Sequence, residues 1–200
     1  MSADKYGAGQ DPYCYDGTDV LRNRLNIRDD DQLALAERDF SEIAASQIEF
    51  ELPPYDLAYL KRIHRTLFLD VFEWAGEVRT VDISKGGTHF CNLLRIEIEA
   101  SKIFVSLARS NWLEGLERAH LIRAAAECFG DLNMIHPFRE GNGRAQRILF
   151  EHLIVNAGFE VDWWAVVPEE WLRANVAAVI CDYSKLEAVF ERCIGQAIPP

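Results

Sequence analysis

The chain has 200 residues, and 21 Lys and Arg stand against 32 Asp and Glu, which gives a formal net charge of −11. Apolar residues make up 49% and charged residues 26%, a composition that predicts one folded domain and excludes a fully disordered chain. The acidic balance argues against a nucleic-acid or membrane partner, because broad contact with either needs a basic surface.

The start of the chain and its cysteines indicate a compartment. The first residues have neither the apolar core of a signal peptide nor an Arg-rich amphipathic pattern, and no apolar run is long enough to span a membrane. The five cysteines form no C-x-x-C pair, which favours reduced thiols over a zinc site or a disulfide framework. A cytoplasmic protein is therefore expected.

The N-terminal third predicts an arm followed by helices. Residues 1–17 are rich in Gly, Asp and Tyr without any period, which indicates an arm, whereas 18–200 shows no repeat or linker and predicts one domain. Acidic residues at 29–31 can cap a helix that runs to about Glu51, where two prolines stop it. Asp56 can cap the next helix, which has apolar residues along one face.

One hairpin interrupts this helical pattern. The run 78–83 (VRTVDI) is β-branched and predicts a strand, which returns at 88–91 after the turn residues Lys85, Gly86 and Gly87. Five further helices are predicted at Ile96–Arg109, 116–134, 144–156, 168–179 and 184–194. The fold class is therefore all-α with one small β-hairpin, which must pack against the helices because a lone hairpin is marginally stable.

The segment 136–147 (HPFREGNGRAQR) combines residue types that suit a polyphosphate. It is net positive within an acidic chain. Gly141, Asn142 and Gly143 allow the backbone to turn its N–H groups inward, and the helix that follows favours an anion at its N-terminus.

Side chains in the same segment can supply the remaining chemistry. Arg144 and Arg147 lie three residues apart on one helix face, where they can grip successive phosphates. Glu140 can hold Mg²⁺, which binds one or two carboxylates together with phosphate oxygens. His136 can act as a base near neutral pH. Each of these residues is commonplace alone, so the hypothesis depends on their combined order.

That order resembles the signature of the Fic family: His, any residue, Phe, any residue, Asp or Glu, Gly-Asn-Gly-Arg, two of any, and Arg. Every fixed position matches, at His136, Phe138, Glu140, Gly141, Asn142, Gly143, Arg144 and Arg147. The segments 11–29 and 78–90 also resemble Fic sequences, so that the likeness covers roughly 11–195. It implies a Fic domain at 18–200, a helical bundle with one β-hairpin flap.

The resemblance implies a protein adenylyltransferase that moves AMP from ATP to a Tyr, Thr or Ser hydroxyl of a target protein. His136 would take the hydroxyl proton, and Glu140 would hold Mg²⁺ across the α- and β-phosphates. The backbone at 141–143, with Asn142, would form the anion hole. Arg144 would bind on the β-phosphate side and Arg147 would bind the γ-phosphate.

The resemblance also assigns the hairpin and one aromatic residue. The hairpin would be a flap that docks an extended target segment through main-chain hydrogen bonds. Its residues are Ile83, Ser84, Lys85, Gly86, Gly87, Thr88, His89 and Phe90. Phe138 would anchor the loop within the core without taking part in the chemistry.

Fic proteins are commonly inhibited by a helix that carries Ser or Thr, three residues of any type, Glu, and Gly or Asn. One such match occurs here, at Ser110, Glu114 and Gly115, but it precedes the motif in mid-chain, unlike the family's inhibitory helices. The resemblance therefore implies a separate small antitoxin, whose Glu would pair with Arg147. It further implies a bacterial toxin, with DNA gyrase and topoisomerase IV, the type II topoisomerases, as possible targets.

Three alternatives stay open at this stage. The same site could transfer a phosphate, although relatives that do so carry Lys at the position of Gly143. It could remove AMP, although such relatives keep an inhibitory Glu within the chain. It could also be a non-catalytic nucleotide-binding module, against which the intact His136 and Glu140 argue. Trp171 is interpreted as a core or interface residue, and His64 and His152 as helix residues.

Overall fold

The computed structural model describes residues 4–5 and 9–199. Within them the helices are α1 (Asp30–Ala45), α2 (Leu57–Phe68), α3 (Ile96–Arg109), α4 (Arg118–Ile135), α5 (Asn142–Asn156), α6 (Pro168–Ala178) and α7 (Ser184–Cys193). The short strands are β1 (Asp4–Lys5), β2 (Ile83–Lys85), β3 (Thr88–His89), β4 (Phe159–Val161) and β5 (Ile194–Ala197). The mostly helical fold with a small hairpin confirms the predicted class.

Two adjacent helices, α4 and α5, form the centre of the bundle. Helix α4 contacts α3, α5, α6 and α7, while α5 contacts α2, α4 and β4. Apolar side chains from these helices fill one main core, in which Phe129, Phe150 and Phe190 meet as a cluster of rings. Because α4 and α5 are held on several sides, the loop between them has a rigid base.

Side-chain caps explain where the first two helices begin. Asp29 accepts a hydrogen bond from the Gln32 N–H at the start of α1, and Asp56 accepts one from the Tyr59 N–H at the start of α2. Helix α1 ends at Ala45 and not near Glu51 as predicted. The Ser46 hydroxyl donates to the Ile43 carbonyl at the end of this helix, a local bond that competes with helix continuation.

The β structure differs most from the prediction. Only the last residue of 78–83 is in a strand. The rest of the run is irregular, and the Arg79 side chain bonds to the Val81 carbonyl within it. The hairpin itself is confirmed, with Gly86 and Gly87 at positive φ between β2 and β3. Strand β1 lies antiparallel to β2, on the side away from β3.

A second sheet was missed by the sequence analysis. Strands β4 and β5 pair antiparallel although each is only three or four residues long and neither has a clear alternating pattern. Long-range pairing with a distant segment is what stabilises such short strands. Gly158, just before β4, has a φ of 92° and follows the end of α5, where glycine is favoured.

The N-terminal segment packs onto the bundle. Cys14 is buried in the main core, and the Asp11 carboxylate accepts a hydrogen bond from Arg139 at 2.8 Å, a pair in which both side chains are largely buried. The division into an arm at 1–17 and a domain at 18–200 stays a prediction. Across the described residues, no helix is both long enough and apolar enough to cross a bilayer.

Candidate active site

The loop that joins α4 to α5 carries the predicted motif, and its backbone turns at two positions. Helix α4 ends at Ile135, and His136 caps it in a left-handed conformation with φ 48° and ψ 62°. Pro137 follows it and cannot donate a helical hydrogen bond, so the helix stops there. The second turn is at Gly141, whose φ of 79° precedes α5. A side chain at Gly141 would overlap the ring of Phe68, so glycine is required.

A cavity of about 330 Å³ opens over this loop. Its lining includes seven residues of the motif, namely His136, Glu140, Gly141, Asn142, Gly143, Arg144 and Arg147. From the flap, Lys85, Thr88 and Phe90 also line it. A wider cleft of about 600 Å³ lies elsewhere, between the N-terminal segment and Trp74, among residues to which the sequence assigned no chemistry.

The imidazole of His136 is held by one hydrogen bond and one ring contact. Its Nδ1 lies 3.1 Å from the Asn133 carbonyl oxygen, so Nδ1 carries the proton and the lone pair is on Nε2. The Phe90 ring stacks on the imidazole, with centroids 3.8 Å apart and planes 13° apart. Burial lowers the pKa of His136 to about 3, assisted by the positive charges of Arg79 and Lys85. The ring is therefore a neutral base at pH 7.

Two buried side chains fix the shape of the loop. The Asn142 side chain accepts a hydrogen bond from the Phe138 N–H and donates one to the Phe138 carbonyl, both at 2.8 Å. His64 of α2 accepts from the Gly76 N–H through Nδ1 and donates through Nε2 to the Glu140 carbonyl. Burial lowers the pKa of His64 to about 4, so it is neutral.

Phe138 is fully buried and stacks on His64, with ring centroids 3.8 Å apart. It lies beneath the loop and is not among the residues that line the cavity. This position fits the anchoring role that the resemblance implied. The interpretation of His64 and His152 as helix residues is confirmed, since they lie in α2 and α5.

The N-terminus of α5 faces the cavity without a side-chain cap. Gly141 at the cap position has no side chain, and no side-chain hydrogen bond caps this end of the helix. Gly143 has open space around its Cα on the side where a Cβ would be. Because the first N–H groups of a helix have no partner within it, this end offers donors and a positive dipole to an anion.

The two motif arginines have different surroundings. Arg144 donates to the Glu37 carboxylate and to the Ser41 hydroxyl of α1, and its guanidinium lies over the Phe68 ring. Burial, together with the Arg147 cation, lowers the pKa of Arg144 to about 10, so it stays charged at pH 7. Arg147 has no hydrogen bond or ion pair to any described residue. Arg147 is therefore available to bind a ligand in the cavity.

Glu140 is the acidic residue that lines the cavity. One carboxylate oxygen accepts a hydrogen bond from the Gly141 N–H at 2.9 Å, and the other has no partner among the described residues. No group of three or more His, Cys, Asp or Glu side chains able to hold a metal occurs in the described part of the chain. One carboxylate suits Mg²⁺ delivered with phosphate oxygens, because Mg²⁺ keeps waters and needs few protein ligands.

One wall of the cavity was missed by the sequence analysis. It is formed by Phe129 and Asn133 of α4, and by Trp171, Leu172, Asn175, Val176 and Val179 in and just after α6. Trp171 packs edge-on against Phe129 and Trp163, which confirms its interpretation as a core residue, but it lines the cavity as well. The spacing of these residues is typical of a buried helix face. It does not indicate that this face lies beside the motif.

The segment at 110–115 that matches the inhibitory motif, and that its mid-chain position argued against, does not form an α-helix. Asn111, Trp112 and Leu113 all have positive φ, and the Glu114 carboxylate accepts a hydrogen bond from the neighbouring Asn111 side chain. Glu114 is not among the residues that line the cavity. Glu114 therefore does not share the cavity with Arg147.

Comparison with known proteins identifies the family. A family model described as Fic/DOC matches residues 54–154, which include the whole motif. The "Probable protein adenylyltransferase Fic" of Escherichia coli strain K12 is 39% identical over 195 residues, which are 98% of this chain and 98% of the relative. The chain belongs to the Fic/DOC family. This relative's name confirms the enzyme class predicted from the sequence, a nucleotidyltransferase.

Solved structures agree with the fold of this Fic protein. The BepC protein of Bartonella tribocorum with bound AMPPNP has a TM-score of 0.88 at 30% identity, covering 94% of this chain and 97% of that one. A Fic domain from Bartonella quintana with bound ADP has a TM-score of 0.87 at 29% identity, covering 93% and 95%. Both are similar over nearly their whole length, and both were solved with an adenine nucleotide.

Proposed function

We propose that this Fic protein is a protein adenylyltransferase that transfers AMP from ATP to a hydroxyl side chain of a target protein. The observation that carries the proposal is one cavity lined by His136, by the uncapped N-terminus of α5 and by Arg147, which has no partner among the described residues. The relatives' names and their bound nucleotides support the same activity.

In this mechanism, Nε2 of His136 takes the proton from the target hydroxyl as its oxygen attacks the α-phosphorus of ATP. The bond from the α-phosphorus to the bridging oxygen breaks, and pyrophosphate leaves with that oxygen. The proton then passes from His136 to the solvent or to pyrophosphate. The N–H groups at 141–143 would stabilise the charge that develops on the α-phosphate oxygens.

The phosphate tail would be held by charged side chains. Arg147 would bind the γ-phosphate. Arg144 keeps its ion pair with Glu37, and its Nε–H, which has no acceptor among the described residues, would be the donor for a β-phosphate oxygen. Glu140 would hold Mg²⁺, which supplies positive charge to the phosphates when bound.

The flap would position the target segment. Strand β2 is paired on both sides, so among the described strands the two edges of this sheet are β1 and β3, of which β3 belongs to the flap. An extended segment could add to β3 through main-chain hydrogen bonds and bring a Ser, Thr or Tyr hydroxyl towards His136. Lys85, Thr88 and Phe90 are the flap residues that line the cavity with His136.

Labelled ATP tests the reaction and separates it from its closest alternative. The protein is incubated with a bacterial lysate, Mg²⁺ and ATP labelled on either the α- or the γ-phosphate. Adenylylation predicts that protein acquires label from the α position only, with a matching mass increase, and that His136→Ala abolishes it. Label from the γ position alone would instead establish phosphate transfer, and no label from either would contradict both.

The biological setting belongs to the same proposal. We infer a bacterial cytoplasmic toxin that is held inactive by a small antitoxin, whose inhibitory Glu would pair with Arg147. The absence of an acidic partner for Arg147 in the described residues supports an inhibitor from outside the chain. DNA gyrase and topoisomerase IV are the targets to examine first, through incubation of each purified topoisomerase with the enzyme and ATP, followed by mass spectrometry.

A further inference from the structure

A buried arginine outside the motif connects the flap to the catalytic loop. Arg79 lies just before the flap, and its side chain has no exposed surface. A buried guanidinium is costly unless its donors are satisfied. The strand pattern at 78–83 includes Arg79 but gives it no role, so its burial requires another explanation.

The guanidinium of Arg79 donates to main-chain carbonyls on two separate elements. Nε donates to the His136 carbonyl at 2.8 Å, and Nη2 also approaches the Ile135 carbonyl at 3.4 Å. On the flap side, Nη1 donates to the Val81 carbonyl at 2.6 Å and Nη2 donates to the Cys91 carbonyl. One planar group thus holds both ends of the flap and the end of α4.

Main-chain hydrogen bonds reinforce the same connection. The Arg79 N–H donates to the Pro137 carbonyl at 2.9 Å, and the Cys91 N–H donates to the Met134 carbonyl at 2.9 Å. The Asp82 carboxylate lies 3.7 Å from Nη1 of Arg79 and balances part of its charge. Both residues that flank the flap are therefore bonded to the residues around His136.

His136 depends on this support because of its conformation. A left-handed residue other than glycine costs roughly 1–2 kcal/mol, and the last carbonyls of a helix lack partners within it. Arg79 satisfies the carbonyls of Ile135 and His136, and a cation is favourable at the C-terminus of α4.

We propose that Arg79 is a positioning residue, which fixes the flap and the His136 base in one geometry so that a docked hydroxyl meets Nε2. This inference rests on the proposed function, because it supplies the alignment that the transfer step needs. Arg79 is not itself among the residues that line the cavity.

The charge of Arg79 acts on the same base. It is one of two cations that, after burial, lower the pKa of His136, and the other is Lys85 of the flap. The charged groups that face the imidazole or share its cavity are Arg79, Lys85, Glu140, Arg144 and Arg147. Removal of the Arg79 charge should therefore raise the pKa of His136, whereas a lysine should preserve it.

Two variants separate these effects, and a second arginine supplies the control. Arg79→Lys keeps the positive charge but loses the planar guanidinium that bonds four carbonyls. Arg79→Gln loses both the charge and the guanidinium. Arg118 is the matched control, because its guanidinium also binds main-chain carbonyls, those of Glu191 and Ile194, at the opposite end of α4. Arg118→Lys and Arg118→Gln therefore show how much stability and activity change when such carbonyl bonds are removed at a site away from the cavity.

The measurements are the rate of AMP transfer at saturating MgATP, the affinity for MgATP by calorimetry, and the pH profile. We expect both Arg79 variants to slow transfer on the order of 10- to 100-fold, because small misplacements of reacting groups have effects of that size. MgATP affinity should change less than about threefold. The acid limb of the profile should move to higher pH in Arg79→Gln alone.

A purely structural role gives a different result. The inference is wrong if the Arg79 variants unfold at a lower temperature, as is expected of the Arg118 variants, but keep the wild-type transfer rate and the wild-type acid limb of the pH profile. If Arg79→Lys does not bind MgATP, the transfer rate and the acid limb of Arg79→Gln, compared with those of Arg118→Gln, decide the inference. If the wild-type protein transfers no AMP, the proposed function is wrong. The inference is then tested by NMR, which measures the pKa of His136 in wild type and in Arg79→Gln, and an equal pKa in the two proteins would contradict it.

Discussion

The Phe90 ring lies parallel to the His136 imidazole, with centroids 3.8 Å apart and planes 13° apart. Phe90 directly follows the flap strand β3, whereas His136 caps the C-terminus of α4. This contact links the segment proposed to dock the target with the group proposed to take its proton. The stack also covers one face of the imidazole and contributes to the burial that lowers the pKa of His136.

Phe90→Leu should therefore slow AMP transfer without weakening ATP binding. Loss of the flat ring leaves the imidazole less well oriented and more hydrated, so we expect a rate on the order of tenfold lower. The acid limb of the pH profile should move upwards, because weaker burial raises the pKa of His136. Phe40→Leu, a change at an exposed aromatic residue of α1, is the control. Equal rates for the two variants would show that the stack has no functional role.

The two glycines of the motif should respond differently to alanine. Gly141→Ala should destabilise the protein by about 2 kcal/mol or more, since φ is positive there and the new Cβ would overlap Phe68. Gly143→Ala meets no atom and should leave the free energy of unfolding within about 1 kcal/mol of wild type.

If ATP phosphates approach the N-terminus of α5, Gly143→Ala should nevertheless weaken MgATP binding. Urea denaturation and calorimetry on both variants test this pair of predictions. A Gly143→Ala protein that binds MgATP as wild type does would contradict close approach of the phosphates at that residue.

Alanine substitutions of the two motif arginines should affect different properties: Arg144→Ala mainly the stability of the protein, and Arg147→Ala mainly MgATP binding. Arg144→Ala removes the cation that pairs with Glu37 and should cost about 1–3 kcal/mol of stability. Arg147→Ala breaks no ion pair to a described residue and should change stability by less than about 0.5 kcal/mol, yet weaken MgATP binding more. Thermal unfolding and calorimetry measure the two quantities, and the reverse pattern would exchange the roles proposed for these residues.

Acid should destabilise the protein through its buried histidines. Burial lowers the pKa of His64 to about 4, against an ordinary value near 6.5. Between these values the unfolded chain binds a proton that the folded protein does not, so stability is complete above about pH 6.5 and falls as the pH decreases towards 4. His64 should contribute a slope of up to about 1.4 kcal/mol per pH unit in this window.

His64→Gln should lower stability at pH 7 and flatten this dependence. His120→Gln, a change at an exposed residue of α4, should leave the slope as in wild type. Urea denaturation at pH 7, 6 and 5 provides the comparison. An unchanged slope in His64→Gln would mean that His64 does not remain neutral in the folded protein.

Much of the fold could be predicted because its signals are local. The bounds of α3 were predicted to the residue, and capping groups such as Asp29 and Asp56 marked where α1 and α2 begin. The two glycines of the flap required a tight turn, and they form one. Helix periodicity, caps and turn residues act within a few positions, so a single sequence contains them.

Pairing over long distances was not predictable in the same way. Strands β4 and β5 lie more than 30 residues apart, and their short sequences show no pattern that would identify them as partners. The run 78–83 has strand-forming residues, but Arg79 within it bonds to carbonyls of another element, and most of the run is not a strand. Tertiary contacts overrode local propensity in both cases.

By itself, the sequence determined the family and the residues of the motif, because their order within one short segment encodes the loop and the start of α5. Only the tertiary structure decided which groups surround them. It paired Arg144 with Glu37, left Arg147 without an acidic partner among the described residues, and added a wall from α6. It also buried Arg79 between the flap and His136. These relationships join residues that are far apart in the chain, and packing alone brings such residues together.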